Sequence, residues 1–573
     1  MVKIKTDSIK HFLLISAFLL AIFILAMVVW YAPIAFKGYS PYSPSSGSLL
    51  ARNIHQSGFY SIENNLNVSL SPNLVKDQGI LSFRGNKLTP LLYGKVFNVI
   101  GLPGANGLIF LSIFICALTL LIFTKVVLYL FDFKTALIFS LIYIFLPFNW
   151  QLPYALCAYE FALFFFALFF LFYFYGIAKQ QKHSYVYLAI SGIFLALACL
   201  SRETLLLITP FLLVFLWLKR QKHYLFYIFI PFIIIFAIFW LPDLKHNAYL
   251  QVFTTQTTEE SKSSDFSFYG HVYPDPYTYH FEKEEFLQNL QKQIDENELV
   301  LMKEIDLNRE LKNMGIAEIG LIDRIRAGLM LGSRHIFRFV SLEEIGGPLI
   351  LLLILLGLYV LRQKNKYLHQ FFVYWIFSSI FLMAFIALVG RNHLMDFGWA
   401  IALLVSLGLL VLSKIIVDYF EFQTKKARII YPAILLLVLY NLVLVNHIAW
   451  SNIYDNSNNL IIEAYSQEIK KLSIADEDVI AVNLDAGAVY SLSYLTNKSV
   501  VLFRPETVEG LLEENKLNWS FEQFGVKYIL GYSGELSERI TDQTKIINIS
   551  SDSLKPAVLE MSRNKGWFMN LVK

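Results

Sequence analysis

Long apolar segments recur along most of this chain and constrain its fold more than any other feature. The core of a bilayer is about 30 Å thick, so a helix needs about 20 mainly apolar residues to cross it. The pattern predicts a mainly α-helical, polytopic membrane protein with about eleven transmembrane helices. The candidate segments are residues 11–34, 106–131, 135–148, 162–178, 184–200, 204–218, 224–241, 346–361, 371–390, 398–413 and 429–450.

Composition excludes several other classes of protein. Of the 573 residues, 56% are hydrophobic and 16% are charged, whereas an ordinary soluble domain has about 25% charged residues. The formal net charge of +4 is too small for a chain of this length to predict a nucleic-acid partner. The three cysteines, Cys116, Cys157 and Cys199, show no Cys-x-x-Cys spacing, so neither a thiolate zinc site nor a disulfide framework is predicted.

The distribution of basic residues predicts how the chain is oriented. The loops on one side contain seventeen Lys and Arg residues, and the short loops on the other side contain two, Arg202 and Arg391. Positive residues collect on the cytoplasmic side of a membrane. We therefore expect a multi-pass protein of a cytoplasmic membrane, with its N-terminus inside and, after an odd number of crossings, its C-terminus outside.

Three long polar segments then fall on the outer face, at residues 35–105, 242–345 and 451–573. We predict a transmembrane domain over 1–450, which includes the first two, and a small extracytoplasmic α/β domain over 451–573. Its expected strands are 479–483, 489–495, 499–503 and 527–531, with helices at 461–472 and 505–515. Three long segments on the outer face indicate that this face carries out chemistry or binding. The alternative is that these segments only cap the helix bundle.

Glu160 is the first candidate for chemistry on this face. It is the sole ionisable carboxylate in the turn "NWQLPYALCAYEFALFFF", and it borders a strongly apolar helix. A carboxylate in that position is expected to be partly desolvated, which favours its protonated form and suits a base that must take a proton from a hydroxyl. The alternative is a loop glutamate at the level of the lipid head groups.

Two other polar clusters border predicted outer helix ends. In "CLSRETLLL", Arg202 and Glu203 occupy a tight turn, and a structural tie is the favoured interpretation. In "VGRNHLMDFGW", Arg391 stands beside Asn392 and His393. Because the arginine fork fits a phosphate, this cluster suits a lipid phosphate, and the alternative is snorkelling to ordinary phospholipids.

The first outer segment contributes a looser set of residues. Its charged side chains show no metal-ligand spacing, and each one alone is typical of a solvated loop. They are His55, Glu63, Asp77, Arg84 and Lys87.

Several stretches together resemble the membrane glycosyltransferases of the GT-C superfamily, in particular the branch with protein O-mannosyltransferases and the aminoarabinose transferases of lipid A. The resemblance covers most of the chain, and it depends on the order of the motifs and the topology. The stretches are "SLLARNIHQSGFY", "LTPLLYGKVFNVIGL", "LPYALCAYEFALFFFALFF", "GIFLALACLSRETLLLITPFLLVF", and "YSLSYLTNKSVVLF" followed by "FGVKYILGYSG".

The resemblance implies inverting transfer of a sugar from a polyprenyl-phosphate carrier to an acceptor outside the membrane. It implies that Glu160 is the acidic residue of the second outer loop, with Asp77 as a second catalytic candidate. The donor phosphate would be bound by Arg391, His393 and Arg202, and substrate would contact Tyr159, Arg84 and His55. The expected partners are the lipid-linked sugar, membrane lipid, and a glycan, lipid or protein acceptor; no cofactor is firmly implied, and dependence on a divalent metal stays open.

One departure from the family pattern opens alternatives. The family normally has an aspartate about eight residues before the Ala-Arg pair of the first outer loop, but that position here is Ser43, within "GYSPYSPSSGS". Asp77 or Glu63 substitutes for it, Glu160 acts alone, or the chain is an inactive relative that binds lipid-linked glycans or serves as an assembly partner. A transporter or flippase is less favoured, because the sequence shows no paired halves with broken helices.

Overall fold

The computed structural model describes most of the predicted membrane region and part of the C-terminal segment. Nothing below concerns the residues outside the described ranges. These ranges are 88–102, 105–146, 159–178, 184–202, 204–219, 222–244, 347–381, 396–420, 424–454, 458–472, 478–483, 492–502, 526–531, 534–543 and 547–549, with short stretches between them such as 19–23, 51–52, 54–55 and 149.

Helices dominate the described residues, as the apolar segments predict. Before the middle polar segment they are α1 (Leu88–Ile100), α2 (Ala105–Leu130), α3 (Phe133–Phe145), α4 (Glu160–Ala178), α5 (Ser184–Ser201), α6 (Thr204–Leu218) and α7 (Lys222–Leu244). After it come α8 (Pro348–Lys364), α9 (Lys366–Phe371), a π-helical turn (Phe372–Phe377), α10 (Ser378–Phe381), α11 (Gly398–Tyr419), α12 (Thr424–Tyr454) and α13 (Asn458–Lys471).

Within the described ranges, four helices are long and apolar enough to cross a membrane: α2, α4, α5 and α11. Shorter apolar helices include α1, α3 and parts of α6, α7 and α12. Their buried side chains form one continuous apolar cluster, in which Phe170 and Trp399 have ring centroids 4.3 Å apart. The chain is therefore a mainly helical membrane protein, and the count of about eleven crossings stays a prediction.

Glycines allow α8 and α11 to pack backbone against backbone. A Cβ atom added to Gly357 would overlap the carbonyl oxygen of Leu404, and one added to Gly408 would overlap that of Leu353. Small residues permit such close helix approaches in membranes, where van der Waals packing replaces the hydrophobic driving force between helices. This contact holds α11 in place against α8, and the first residues of α11 contribute to the site described below.

Four strands of the C-terminal segment form a parallel sheet in the order β2-β1-β3-β4. They are β1 (Val479–Val482), β2 (Ser499–Leu502), β3 (Val526–Leu530) and β4 (Ile547–Ile549), with α14 (Gly534–Gln543) before the last. Central β1 is buried on both faces, as is usual for parallel strands. Alternate residues of β1 join different clusters: Ile480 and Val482 join that of the membrane helices, and Val479 and Ala481 a separate one.

Two details of this segment differ from the sequence prediction. The predicted strand at 489–495 is wrong over 492–495, because residues 492–496 are helical, and residues 489–491 lie outside the described residues. The physical reason is that β1 and β2 run parallel, so the chain between them must cross back over the sheet. The short strand β4 was not predicted. That the segment is a separate extracytoplasmic domain stays a prediction.

Candidate functional site

Glu160 lies at the start of α4, where its side chain is completely buried. The Ser112 hydroxyl on α2 donates a hydrogen bond to its Oε1 at 2.6 Å, and the Tyr159 backbone N–H donates to its Oε2 at 3.1 Å. Both carboxylate oxygens thus accept hydrogen bonds, which suits an acceptor-only group. The first turn of a helix also favours negative charge. The sequence prediction placed Glu160 in the turn before this helix, whereas the helix begins at Glu160 itself.

A small cavity adjoins the Glu160 carboxyl group. It has room for about one water molecule, so a sugar ring does not fit inside it. Its wall combines apolar side chains with several polar ones. The lining residues are Phe23, Cys116, Thr119, Tyr143, Asn149, Glu160 and Leu163.

Asn149 is a polar residue of this cavity that sequence reasoning did not select. Its Nδ2 donates to the Tyr143 carbonyl at 2.7 Å, and its side chain is buried. Its Oδ1 has no hydrogen-bond partner among the described residues. A Cβ atom on Gly398 would lie 2.7 Å from this oxygen, so the glycine gives it room. The signal that could have found Asn149 is its position in the same predicted outer turn as Glu160.

Arg202 and Asp396 form a buried ion pair beside this site. The Nε of Arg202, in the turn between α5 and α6, lies 3.1 Å from the Oδ2 of Asp396, two residues before α11, and the two side chains are 2% and 0% exposed. The Arg202 guanidinium carbon also lies 3.7 Å from the centroid of the Tyr159 ring. Asp396 was not selected from the sequence. The signal that could have found it is a lone carboxylate that immediately precedes a long apolar run.

Helix α1 packs against the chain neighbours of Glu160 and Arg202. The rings of Tyr93 and Phe161 meet edge to face with centroids 5.1 Å apart. The hydroxyl of Thr89 donates to the carbonyl of Ser201 at 3.4 Å. The second stretch of the predicted first outer loop therefore covers the chain neighbours of Glu160 and Arg202.

The first outer segment also contacts the C-terminal segment through Arg52. Its Nη1 donates to the Ser493 carbonyl at 2.7 Å, and this contact is buried. Burial lowers the pKa of Arg52 to about 10, so the guanidinium stays protonated at neutral pH. A charged hydrogen bond thus connects the two predicted outer segments near the membrane helices.

The structure brings together three of the residues selected from the sequence: Glu160, Tyr159 and Arg202. His55 instead faces α1, where its Nδ1 lies 2.7 Å from the Oδ1 of Asn98. The remaining selected residues, Asp77, Arg84, Arg391 and His393, lie outside the described residues, as does Glu63. In the part of the chain that the structure describes, no group of three or more His, Cys, Asp or Glu side chains could hold a metal ion.

The fold of this chain matches solved structures of two membrane proteins. One is the archaeal oligosaccharyltransferase AglB from Archaeoglobus fulgidus, in complex with an inhibitory peptide and a dolichol-phosphate; the TM-score is 0.50 at 11% identity, over 92% of this chain and 70% of that chain. The other is ArnT from Cupriavidus metallidurans in the apo state, with a TM-score of 0.50 at 9% identity, over 93% of this chain and 89% of that chain. This chain has the GT-C fold.

The GT-C likeness comes from structure alone. No family model matches the sequence, and no curated protein matches it. Identities near one residue in ten show a shared fold and do not transfer an activity, because one fold hosts several functions. The function must therefore be argued from the site.

Proposed function

We propose that this chain transfers a sugar from a polyprenyl-phosphate-linked donor to an acceptor on the outer face of a cytoplasmic membrane. The observation that carries the proposal is Glu160, a buried carboxylate held by two hydrogen bonds at the start of a membrane helix in a GT-C fold. The solved AglB structure contains a dolichol-phosphate, which supports a lipid phosphate as the carrier. We further propose about eleven crossings, a cytoplasmic N-terminus and an extracytoplasmic α/β domain over 451–573.

In the proposed reaction, an acceptor hydroxyl oxygen attacks the anomeric carbon of the donor sugar. The bond from that carbon to the carrier phosphate oxygen breaks with inversion, and the phosphate leaves with the bonding electron pair. Glu160 takes the hydroxyl proton. A positioned base of this kind contributes about 10²–10⁴-fold to the rate. Asp77 is proposed as a second carboxylate that substitutes for the aspartate expected near Ser43.

The size of the cavity limits how Glu160 can take that proton. Since the cavity has room for about one water molecule, the acceptor hydroxyl cannot enter it together with a sugar ring. Proton transfer therefore passes through one bridging water, or the segments that cover Glu160 move aside when substrate binds. Either route keeps the carboxylate away from bulk water between turnovers.

Cationic side chains are needed where the carrier phosphate leaves, because they stabilise the negative charge that develops there. We propose that Arg391 is the main phosphate ligand, with His393 and Arg202 beside it, and that Tyr159, Arg84 and His55 contact substrate. Arg202 already pairs with Asp396, so phosphate would share its guanidinium with that carboxylate.

Replacing Arg391 with alanine is expected to raise the dissociation constant of the donor by about tenfold or more, since a charged hydrogen bond contributes about 1.5–3 kcal/mol. The measurement is binding of a fluorescent polyprenyl-phosphate sugar to the purified protein in nanodiscs. Lys527→Met is the control, because Lys527 is largely exposed and pairs with Asp478 at the sheet. An unchanged donor affinity in the Arg391 variant would remove this residue from the phosphate site.

The proposed activity is tested with the full chain in proteoliposomes. Radiolabelled polyprenyl-phosphate hexoses and pentoses are supplied one at a time, with glycan, lipid and protein acceptors from the source membrane. We expect one donor to lose its label to an acceptor while free polyprenyl phosphate appears in equal amount. A folded chain that binds donors but moves no label with any of them would overturn the proposed transfer.

Donor binding without label transfer would favour a different function: the chain would bind lipid-linked glycans without transferring them. The specific observation in favour of this alternative is the stretch around Ser43, which has no carboxylate where the family normally has aspartate. A binding protein of this kind would bind the donor but transfer no sugar. Its donor affinity would not change when Glu160 is replaced by glutamine.

A further inference from the structure

A charged pair lies where α5 ends and α11 begins. The proposed reaction uses Arg202 of this pair beside the donor phosphate but gives Asp396 no role. Arg202 follows α5, Asp396 precedes α11, and the two side chains are 2% and 0% exposed. Placing two charges in a low-dielectric interior costs desolvation free energy, which their mutual attraction often only offsets. Stability alone is therefore a weak reason for the pair, and its neighbours indicate another role.

Those neighbours connect the pair to Glu160. The Arg202 guanidinium carbon lies 3.7 Å from the centroid of the Tyr159 ring, a cation–π contact between a buried guanidinium and a half-buried ring. The Tyr159 backbone carries two hydrogen bonds of its own. Its N–H donates to Glu160 Oε2 at 3.1 Å, and its carbonyl accepts the N–H of Leu163 at 3.0 Å, which closes the first turn of α4.

We infer that Asp396 is a positioning residue for Glu160. It holds Arg202 against the Tyr159 ring, and the fixed ring in turn holds the backbone turn whose N–H orients the Glu160 carboxylate. The inference rests on the proposed role of Glu160 as the base. It assigns Asp396 no contact with donor or acceptor.

The chemistry of each member fits this role. A guanidinium is planar, so it can stack on an aromatic ring with its face while its edge donates to a carboxylate, which a lysine ammonium cannot do. Aspartate is short, so its carboxylate stays close to the backbone at the start of α11. The position of α11 is set in turn by its backbone contact with α8. The pair thereby ties the position of Glu160 to α11, whose backbone packs closely against α8.

Asp396→Asn tests the inference, because it removes the charge and keeps the shape. We expect kcat per folded molecule to fall by at least tenfold while the donor KM rises by no more than about twofold. Arg202 keeps its charge for the donor phosphate, and a small misplacement of a catalytic group mainly slows the chemical step. Asp396→Glu restores the charge and should recover part of kcat. A purely structural role would lower the yield and thermal stability and leave kcat per folded molecule unchanged, which would overturn the inference.

A second variant keeps the test decisive if Asp396→Asn does not fold. Tyr159→Leu removes the ring that Arg202 contacts and leaves both charges in place. We expect a loss of kcat similar to that of Asp396→Asn, and a smaller loss for Tyr159→Phe, which keeps the ring. Where the double variant Asp396→Asn/Tyr159→Leu can be made, its loss should not exceed the larger single loss; losses that multiply would show independent roles and contradict the inference.

The matched control is a more exposed ion pair on another helix. Glu468 and Lys471 lie one turn apart on α13, with 35% and 68% of their side chains exposed. Glu468→Gln removes a charge in the same way as Asp396→Asn, and we expect it to leave both kcat and KM unchanged. An equal loss in this variant would show that the assay reports general damage.

Failure of the inference can be told apart from failure of the proposed function. If wild type transfers sugar and Glu160→Gln does not, but Asp396→Asn keeps full kcat, the function stands and the inference is wrong. If wild type transfers no sugar, thermal unfolding of the Asp396→Asn, Tyr159→Leu and double variants still measures whether the two residues act as one unit. Additive shifts in Tm would then overturn the inference, and non-additive shifts would support its first step, the coupling of Asp396 to the Tyr159 ring.

Discussion

Replacing Glu160 with glutamine is expected to lower sugar transfer by about 10²–10⁴-fold, the usual contribution of a positioned base. The amide cannot take the acceptor proton, although it keeps the size of the side chain and one oxygen that can accept from Ser112. Carrier affinity is expected to stay unchanged, because Glu160 is assigned to the acceptor proton and not to the phosphate. The measurement is the initial rate of label transfer in proteoliposomes, with donor binding measured in parallel.

Two further variants separate chemistry from packing at Glu160. Ser112→Ala removes the 2.6 Å hydrogen bond but leaves the carboxylate, so its loss of transfer should be much smaller than that of Glu160→Gln. Glu468→Gln, on the exposed face of α13, should transfer at the wild-type rate. Full transfer by a folded Glu160→Gln protein would remove Glu160 from the mechanism.

Replacing Gly408 with alanine is expected to lower the free energy of unfolding by about 1–3 kcal/mol or more, the usual cost of overpacking. The added methyl group would overlap the Leu353 carbonyl oxygen, and a backbone atom cannot rotate away as a side chain can. Helices α8 and α11 would have to separate, which also shifts the start of α11. The measurement is thermal or denaturant unfolding in detergent.

Leu352→Ala is the matched control for Gly408→Ala. Leu352 lies on α8 beside the residue that Gly408 contacts, but it is 48% exposed and faces away from the buried cluster. Its replacement should change the free energy of unfolding by much less than the glycine variant does. Equal stability of Gly408→Ala and wild type would show that the two helices do not pack as closely as described.

Most helix positions in the membrane region could be predicted from the sequence, because burial in lipid requires continuous apolar runs that are visible one segment at a time. The predicted segment at 184–200 matches helix Ser184–Ser201, and the one at 204–218 matches Thr204–Leu218. Strands in the C-terminal segment were harder to predict. Short apolar runs such as 489–495 do not distinguish strand from helix, and only the parallel pairing of β1 and β2 decides it.

The candidate site was predicted only where its signal was local. Glu160 stands out as a carboxylate beside a strongly apolar helix, and Arg202 as a cation in a tight turn. Arg202 and Asp396 are far apart in the sequence, and no sequence pattern predicts that these two helix ends meet to form an ion pair. Asn149 stands in the same predicted turn as Glu160, but only the folded structure shows that it lines the same cavity.

The central claim is most directly tested by an experimental structure of the full chain with a polyprenyl-phosphonate sugar analogue and an acceptor bound. The account predicts that the sugar lies at the α4 start, with the Glu160 carboxylate about 2.6–3.2 Å from the acceptor oxygen or joined to it through one water. A bound sugar at the opposite end of α4, or a Glu160 side chain that faces lipid, would contradict it.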